Sequence, residues 1–273
     1  GEPDGLPRSG ATQVAQAVNE HPNVTIDVGQ VVFGSATTMT SDGPLQYHLH
    51  QLTGNKWLND DVESETGGGL VPMEYAPRNA ANATQWATGL ELFLLINDPW
   101  RVFLTTDHPN AGPFFRYPHV IKLLMDREAR AEALEQISSR VKKRSALAQL
   151  DREYSLYEIA IITRAGTARA LGLDNKGHLG VGADADVAVY ADLDDREAMF
   201  ASPRYVVKDG ELVVKDGNVV RERQGRTLYV EPAYDEGIER ELRGYFEDYY
   251  TIQFENYPVT PDYVPRGEVV ACG

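Results

Sequence analysis

An acidic residue stands directly after a short segment whose composition predicts a β-strand. The segment 102–106 is β-branched and aromatic, Asp107 and His108 follow it, and Pro109 prevents the strand from continuing. The carboxyl ends of the strands hold the catalytic groups in parallel α/β barrels, so a carboxylate at this position indicates chemistry. The alternative interpretation is an Asp that caps the following helix or loop. We interpret Asp107 as a candidate catalytic residue.

A turn signature lies further along the chain, at 177–186. It contains Gly180, Gly182, Asp184 and Asp186, and two alternating strand patterns follow at 205–220, each ending in an Asp-Gly turn signal. This arrangement resembles the signature of the metal-dependent amidohydrolase superfamily, in which the turn leads from the barrel into a small β-sandwich. Gly supplies unusual backbone angles and Asp bonds to nearby amides, so we interpret these residues as turn-forming and not as catalytic.

Several short motifs, taken in order along the chain, give a closer resemblance. They are Asp27-Val28-Gly29-Gln30-Val31, Thr37-Thr38-Met39-Thr40, Leu52-Thr53-Gly54-Asn55-Lys56-Trp57, Gly89-Leu90-Glu91-Leu92-Phe93, Thr105-Thr106-Asp107-His108-Pro109-Asn110 and Glu153-Tyr154-Ser155-Leu156-Tyr157-Glu158-Ile159-Ala160. Together they resemble the A subunit of formylmethanofuran dehydrogenase, a type of protein that also serves in the bacterial formyltransferase/hydrolase complex. The resemblance extends from about Asn19 to about Pro265.

This resemblance implies an α/β fold. We expect the C-terminal part of an amidohydrolase-type TIM-like barrel together with strands of a small β-sandwich. The predicted domains are 1–172, the latter part of the hydrolase barrel with an inserted loop region at 37–82; 173–228, the β-sandwich strands; and 229–273, an acidic, Tyr-rich C-terminal tail.

Hydrophobic patterns and stop signals predict the individual elements. We expect helices at 11–20, 83–96, 155–162 and 163–171, a buried strand at 24–33 and a further strand at 102–106. The insertion at 37–82 is rich in Gly and Pro, which favours loops. Helical segments follow Pro118, and we expect a solvated basic face on them. The residues of that face are Arg130, Arg140, Lys142, Lys143 and Arg144.

Composition excludes several classes of protein. The chain has 26 Lys and Arg against 41 Asp and Glu, so its net charge of −15 argues against binding to nucleic acid or to an anionic membrane surface. No apolar segment reaches the roughly 18 residues of a membrane span. The single cysteine, Cys272, excludes an internal disulfide framework, and we expect a cytoplasmic protein.

The resemblance also implies a zinc cofactor. Binuclear amidohydrolases take a His-x-His pair, a carboxylated Lys and single histidines from earlier strands and one Asp from the last strand. Only that last residue, Asp107, is recognisable here, so we expect most ligands of a binuclear zinc site to lie upstream of this chain. The resemblance gives Asp107 two roles, as a metal ligand and as the base that passes a proton to the leaving nitrogen.

Four further residues are candidates for substrate binding. His108 and Asn110 lie beside Asp107, although a strand-end His bonded to the backbone would look the same. His48 and His50 are separated by one residue, so on a strand their imidazoles would point to the same side and could bind one metal ion. They lie within the insertion, however, so a role in a substrate pocket and simple packing are alternatives to metal binding. Other residues that could hold an anionic substrate tail are Lys56, Arg116 and His119.

The resemblance implies a function in one-carbon metabolism. We expect a zinc-dependent amidohydrolase subunit that interconverts an N-formyl amine carrier of the methanofuran type with formate and free amine. The expected partners are the sister subunits of a multisubunit complex, which in archaeal complexes include a molybdenum or tungsten pterin subunit. Two alternatives remain open: another amidohydrolase acting on a cyclic amide or N-acyl substrate, and a catalytically incomplete scaffold subunit.

We expect the C-terminal tail to pack against another protein surface. Tyr combines a large apolar face with a polar tip and is common at interfaces, so a sister subunit is one occupant and the chain's own barrel the other. Half of the 14 tyrosines lie after Leu228 without a clear strand or long-helix period. They are Tyr229, Tyr234, Tyr245, Tyr249, Tyr250, Tyr257 and Tyr263.

Overall fold

The computed structural model describes residues 8–40, 58–60, 68–249, 254–256 and 267–270. The chain forms two compact units. The first unit consists of Gly1–Ala36 and Glu74–Glu222, and the second consists of Thr37–Met73 and Arg223–Gly273.

Helices and strands are mixed along the chain, as expected for an α/β protein. The α-helices are α1 (Ala11–Glu20), α2 (Ala80–Leu95), α3 (Tyr117–Met125), α4 (Arg127–Gln136), α5 (Ser139–Lys142), α6 (Leu156–Ala160), α7 (Gly166–Ala170), α8 (Arg196–Ala201) and α9 (Ile238–Tyr249). The strands are β1 (Ile26–Asp27), β2 (Gly34–Thr40), β3 (Leu58–Asp60), β4 (Gly68–Tyr75), β5 (Val102–Phe103), β6 (Val187–Val189), β7 (Tyr205–Lys208), β8 (Glu211–Lys215), β9 (Asn218–Val219), β10 (Leu228–Tyr229) and β11 (Glu268–Val269).

The two strands that lead to the candidate site are parallel neighbours. Ile26 pairs with Val102, and Asp27 pairs with Phe103. The strand predicted at 24–33 is wrong beyond Asp27, because Gly29 adopts a φ of 55° that turns the chain out of the extended conformation. The strand predicted at 102–106 likewise ends at Phe103.

Backbone hydrogen bonds continue between these two segments after the strands end. The Val28 amide donates to the Phe103 carbonyl at 3.2 Å, and the Gln30 amide donates to the Thr105 carbonyl at 2.8 Å. The segments therefore stay together up to Asp107. In the part of the chain that the structure describes, each sheet has two to four strands and none closes into a barrel.

The core of the first unit is centred on α2. This helix buries Trp86, Leu90 and Phe93, and it packs against α1, which confirms the helices predicted at 83–96 and 11–20. α2 begins earlier than predicted because the Asn79 side chain caps it by accepting hydrogen bonds from the Ala81 and Asn82 amides.

Arg130 was predicted to belong to a solvated basic face, and this prediction is wrong. Arg130 is only 1% exposed, and its guanidinium donates to the carbonyls of Leu123 at 2.6 Å, Leu150 at 3.2 Å and Arg152 at 2.9 Å. Burial lowers its pKa from the usual value. Helical spacing could not reveal this burial, because the acceptors lie beyond the helix.

The turn signature at 177–186 connects to a four-stranded sheet in the order β6-β7-β8-β9. The Asp-Gly pairs at 209–210 and 216–217 have positive φ angles at all four residues, which confirms the predicted turns.

Asp186 ties this signature to the sheet. Its carboxylate accepts hydrogen bonds from Lys176 at 2.9 Å, from Lys208 at 2.6 Å and from the Asp209 amide at 2.8 Å. Partial burial raises the pKa of Asp186, but these donors outweigh it and hold the pKa far below the usual value. These contacts of Asp186 hold the turn against the sheet, in agreement with the prediction that the signature residues form a turn.

The second unit corrects two predictions. The region 37–82 contains strands where loops were predicted: β3 and β4 pair antiparallel, with Asn59 opposite Gly69, in a sheet of order β2-β4-β3. The tail contains a helix, α9, although no helical period was recognised there. Its apolar residues recur at helical spacing, at 238, 242, 245, 246 and 249, and acidic residues favour its first turn. No helix within the described residues could span a membrane.

Candidate functional site

Asp107 lies at the start of a tight turn just beyond β5. The Asn110 amide donates to the Asp107 carbonyl at 2.5 Å, and the His108–Pro109 peptide bond inside this turn is cis. Asp107 has a φ of 44°, in the left-handed region that Asp tolerates better than most residues. The turn reverses the chain after the strand and leaves the Asp107 side chain exposed.

The Asp107 carboxylate is oriented by its own turn. The Asn110 side-chain amide donates to Asp107 Oδ2 at 3.1 Å. No hydrogen bond among the described residues uses Oδ1, which therefore remains available to a metal ion or a proton. Asn110, a predicted substrate-binding residue, thus contacts the catalytic candidate directly.

The segment at the end of β1, with Asp27 and Gly29, lies beside the segment that leads from β5 to Asp107. The Asp27 carboxylate accepts a hydrogen bond from the Thr105 hydroxyl, and that hydroxyl accepts one from the Gly29 amide at 3.0 Å. A Cβ atom at Gly29 would lie 3.6 Å from the Asp107 Cβ. The parallel pairing of β1 with β5 therefore places two carboxylates, Asp27 and Asp107, at one edge, and sequence reasoning gave Asp27 no role.

Tyr75 is a second residue that sequence reasoning missed. It is 8% exposed, and burial followed by the negative charge of Asp107 raises the pKa of its phenol. Tyr75 therefore stays protonated at neutral pH. It lies close enough to Asp107 for the carboxylate charge to act on its phenol. No sequence spacing connects the two residues, since Tyr75 ends a strand within the region predicted as loops.

His108 is held by the segment that follows it. Its Nδ1 accepts a hydrogen bond from the Phe114 amide at 3.2 Å, and the two rings pack edge to face with centroids 5.0 Å apart. Phe114 and Phe115 are 61% and 68% exposed, unusual values for phenylalanine.

The other basic candidates differ in their surroundings. His119 Nδ1 lies 3.0 Å from Glu197 Oε2, which links α3 to α8. Arg116 Nε is buried and has no hydrogen-bond partner within the described residues. His48, His50 and Lys56 lie outside the described residues, and all the substrate-binding roles stay predictions.

A cavity of about 390 Å³ in the first unit is lined by Arg8, Arg140, Arg144 and Glu91 but by none of the residues around Asp107. Glu91 is 2% exposed and accepts hydrogen bonds from the Ser145 hydroxyl at 2.7 Å and from the Ala146 amide at 2.8 Å. Since its carboxylate is saturated by these donors and by Ser9, we interpret Glu91 as a structural anchor.

Comparison with known proteins identifies the family. The sequence profile described as the amidohydrolase family matches residues 4–220. This chain belongs to the amidohydrolase family. The resemblance found in the sequence motifs is therefore confirmed at the level of the superfamily.

Two curated relatives show which type of amidohydrolase the chain resembles. The chain is similar to protein FwdA of Methanocaldococcus jannaschii, with 49% identity over 96% of this chain and 48% of that protein. It is also similar to the A subunit of the formyltransferase/hydrolase complex Fhc of Methylorubrum extorquens, with 43% identity over 97% of this chain and 49% of that protein. The predicted resemblance to this type of protein is confirmed, and the chain spans about half the length of these relatives.

A solved structure agrees with these relatives. The fold is similar to a chain of the formyltransferase/hydrolase complex FhcABCD from Methylorubrum extorquens, crystallised in complex with methylofuran. The TM-score is 0.83 at 41% identity, and the match covers 97% of this chain and 50% of the other.

Amidohydrolases generally depend on a metal, and Asp107 is the candidate ligand in this chain. Zinc sites in proteins use three or four side-chain ligands. The described part of the chain contains no group of three His, Cys, Asp or Glu residues placed to hold one ion. The exposed Asp107 carboxylate fits the role of a single ligand, and the described residues do not form a complete site.

Proposed function

We propose that this chain is part of a zinc-dependent amidohydrolase subunit that interconverts an N-formyl amine carrier of the methanofuran type with formate and free amine. The observation that supports this most is Asp107: it follows a parallel strand, and its turn leaves one carboxylate oxygen open. We also propose that the first unit belongs to a TIM-like barrel completed by sequence outside this chain, since catalytic residues of such barrels follow strand ends.

Asp107 has two linked roles in this proposal. Zinc, when bound, lowers the pKa of its water to about 7 and so allows hydrolysis at neutral pH. Asp107 would be one of its ligands, and the remaining ligands would lie outside the described residues. As a base, Asp107 accepts the proton of the attacking water and returns it to the amine nitrogen as the C–N bond breaks.

The residues around Asp107 prepare it for these roles. Asn110 orients the carboxylate, and the protonated phenol of Tyr75 lies close enough for the charge of Asp107 to raise its pKa. Asp27, on the adjacent strand end, adds negative charge that favours cation binding at this edge.

The partners in this proposal follow from the relatives. The similar solved structure is a complex named FhcABCD that contains methylofuran, so we propose sister subunits and a furan-type formyl carrier for this chain. A molybdenum or tungsten pterin subunit would be present in a dehydrogenase-type complex. The location would be the cytoplasm, and the Tyr-rich tail would lie against a sister subunit.

Two other functions are compatible with the fold. A hydrolase of cyclic amides would use the same strand-end Asp, and a scaffold subunit would keep the fold without activity. The identities of 49% and 43% to the two curated relatives favour the formyl-carrier reaction over both.

A direct assay separates the three functions. The full-length subunit, purified with its complex, is incubated with an N-formyl furan amine and, separately, with a cyclic amide. We expect formate release from the first substrate, loss of activity after a chelator and recovery with zinc. Turnover of the cyclic amide alone would favour the other hydrolase, and no turnover of either would favour the scaffold.

A further inference from the structure

The hydrogen bond between Phe114 and His108 determines which nitrogen of the imidazole is protonated. The Phe114 amide donates to Nδ1 at 3.2 Å. A ring nitrogen that accepts an N–H cannot also hold a proton, so the neutral imidazole has its proton on Nε2. His108 in this arrangement is a donor at Nε2 and has no lone pair left for a general base.

The local fold makes this arrangement stable. Phe114 is the first residue of a 3-10 helix, Phe114–Arg116, and the first amides of a helix have no acceptor inside it. Nδ1 supplies that acceptor. The edge-to-face contact of the two rings, with an angle of 78° between them, restrains rotation of the imidazole.

The other side of the ring is open. His108 is exposed, and no hydrogen bond among the described residues involves Nε2. His108 lies inside the turn, directly after Asp107 and directly before the cis-proline Pro109. The residue that follows the proposed metal ligand and base therefore presents an exposed donor.

We propose that His108 is a catalytic residue whose Nε2–H donates a hydrogen bond to the carbonyl oxygen of the scissile amide, and that Phe114 is the positioning residue that fixes this tautomer. This inference rests on the proposed hydrolysis. Water adds to the carbonyl carbon, its proton passes to Asp107, and the C=O electron pair moves onto oxygen. The C=O bond then re-forms as the C–N bond breaks, and the nitrogen takes the proton from Asp107 and leaves as the free amine. His108 transfers no proton.

A fixed neutral donor suits this step. The oxygen gains negative charge in the transition state, so a preoriented N–H stabilises the transition state more than the substrate. The effect of His108 should therefore appear in kcat more than in KM.

Two substitutions of His108 test the role of Nε2 in the full-length subunit. His108→Gln places an amide N–H near the position of Nε2, whereas His108→Asn reaches only the position of Nδ1. We expect His108→Gln to retain kcat within about tenfold and His108→Asn to lose about a hundredfold, the scale of one lost oxyanion donor. KM and zinc content should stay unchanged in both.

Two substitutions of Phe114 test the positioning role. Pro113 has a ψ of 142°, which a following proline accepts, and the first helical position tolerates proline. Phe114→Pro removes the amide donor and the ring, and Phe114→Leu removes only the ring. With ¹⁵N-labelled histidine, NMR should show His108 unprotonated at Nδ1 in wild type and in Phe114→Leu, and a mixture of tautomers in Phe114→Pro.

The outcomes separate this inference from the proposed function. An active wild type in which His108→Asn and His108→Gln lose equal activity, or in which neither loses any, would overturn the role of Nε2. A proton on Nδ1 in wild type would overturn the tautomer. A wild type that releases no formate would show that the proposed function has failed, and the role of His108 would fail with it.

Discussion

Single residues determine the candidate site through backbone geometry as much as through their side chains. Asp107 depends on a turn with a positive φ, and Asn110 stabilises that turn with both its backbone and its side chain. Gly29 allows the neighbouring segment to approach Asp107, because a side chain there would need a φ of 55° that L-residues rarely adopt. The strand-end position of Asp107 was predictable from sequence, since a β-branched segment followed by Asp-His-Pro is a local signal.

Arg130 gives the first prediction at the scale of one residue. Arg130→Met should leave three carbonyl groups without their donor and destabilise the protein by about 3 kcal/mol, because unsatisfied buried polar groups are costly. Chemical denaturation followed by circular dichroism would measure the free energy of unfolding.

A matched control lies on the same helix. Arg127 is exposed and pairs with Asp151 at 2.6 Å, so Arg127→Met should cost less than about 1 kcal/mol. Equal effects of the two substitutions would mean that Arg130 contributes no more than a surface arginine.

At the scale of elements, the turn signature and the four-stranded sheet form one electrostatic unit around Asp186. The carboxylate joins Lys176, directly before the signature, to Lys208 in β7. Alternating patterns and Asp-Gly pairs were sufficient to predict β7 and β8, because both signals are local. The strands in 37–82 were not predicted because Gly and Pro residues interrupt their alternating pattern, and α9 was not predicted because its apolar period covers only about three helical turns.

Asp186 gives a prediction on pH. Its folded-state pKa is lowered, so its contribution to stability is present above the unfolded pKa of about 3.9 and decreases as the pH falls towards the folded value. Asp186→Asn should therefore cost about 1 kcal/mol at pH 7, and the difference from wild type should shrink below about pH 4.

Thermal or urea unfolding of wild type and Asp186→Asn between pH 3 and 7 would measure this difference. Asp192→Asn is the control, since Asp192 is exposed and its pairing with Arg196 lies on the surface. A difference between wild type and Asp186→Asn that stays constant down to pH 3 would contradict the ionic role of Asp186.

At the scale of the whole molecule, the chain presents one candidate ligand, Asp107, beyond a strand end, and its described residues contain no group of three that could hold one metal ion. Local patterns in one sequence gave the family and Asp107. They could not give Asp27, Tyr75 or Phe114, because the proximity of these residues to the Asp107 turn depends on strand pairing and on chain reversal.

The incomplete site leads to a prediction for the 273-residue chain in isolation. It should bind zinc weakly and lack hydrolase activity, since zinc sites need at least three protein ligands. Equilibrium dialysis with metal analysis would measure the zinc content. Tight stoichiometric zinc that is lost in a variant with His48→Ala and His50→Ala would show that these histidines form a site of their own.

The central claim is that Asp107 holds the metal and moves the proton. Its most direct test is Asp107→Asn in the full-length subunit, with formate release and zinc content measured on the same samples and Asp151→Asn as an exposed control. We expect a loss of at least about a hundredfold in turnover together with reduced zinc, because the amide is a poor ligand and cannot accept the proton. Near-normal formate release by Asp107→Asn would contradict the claim.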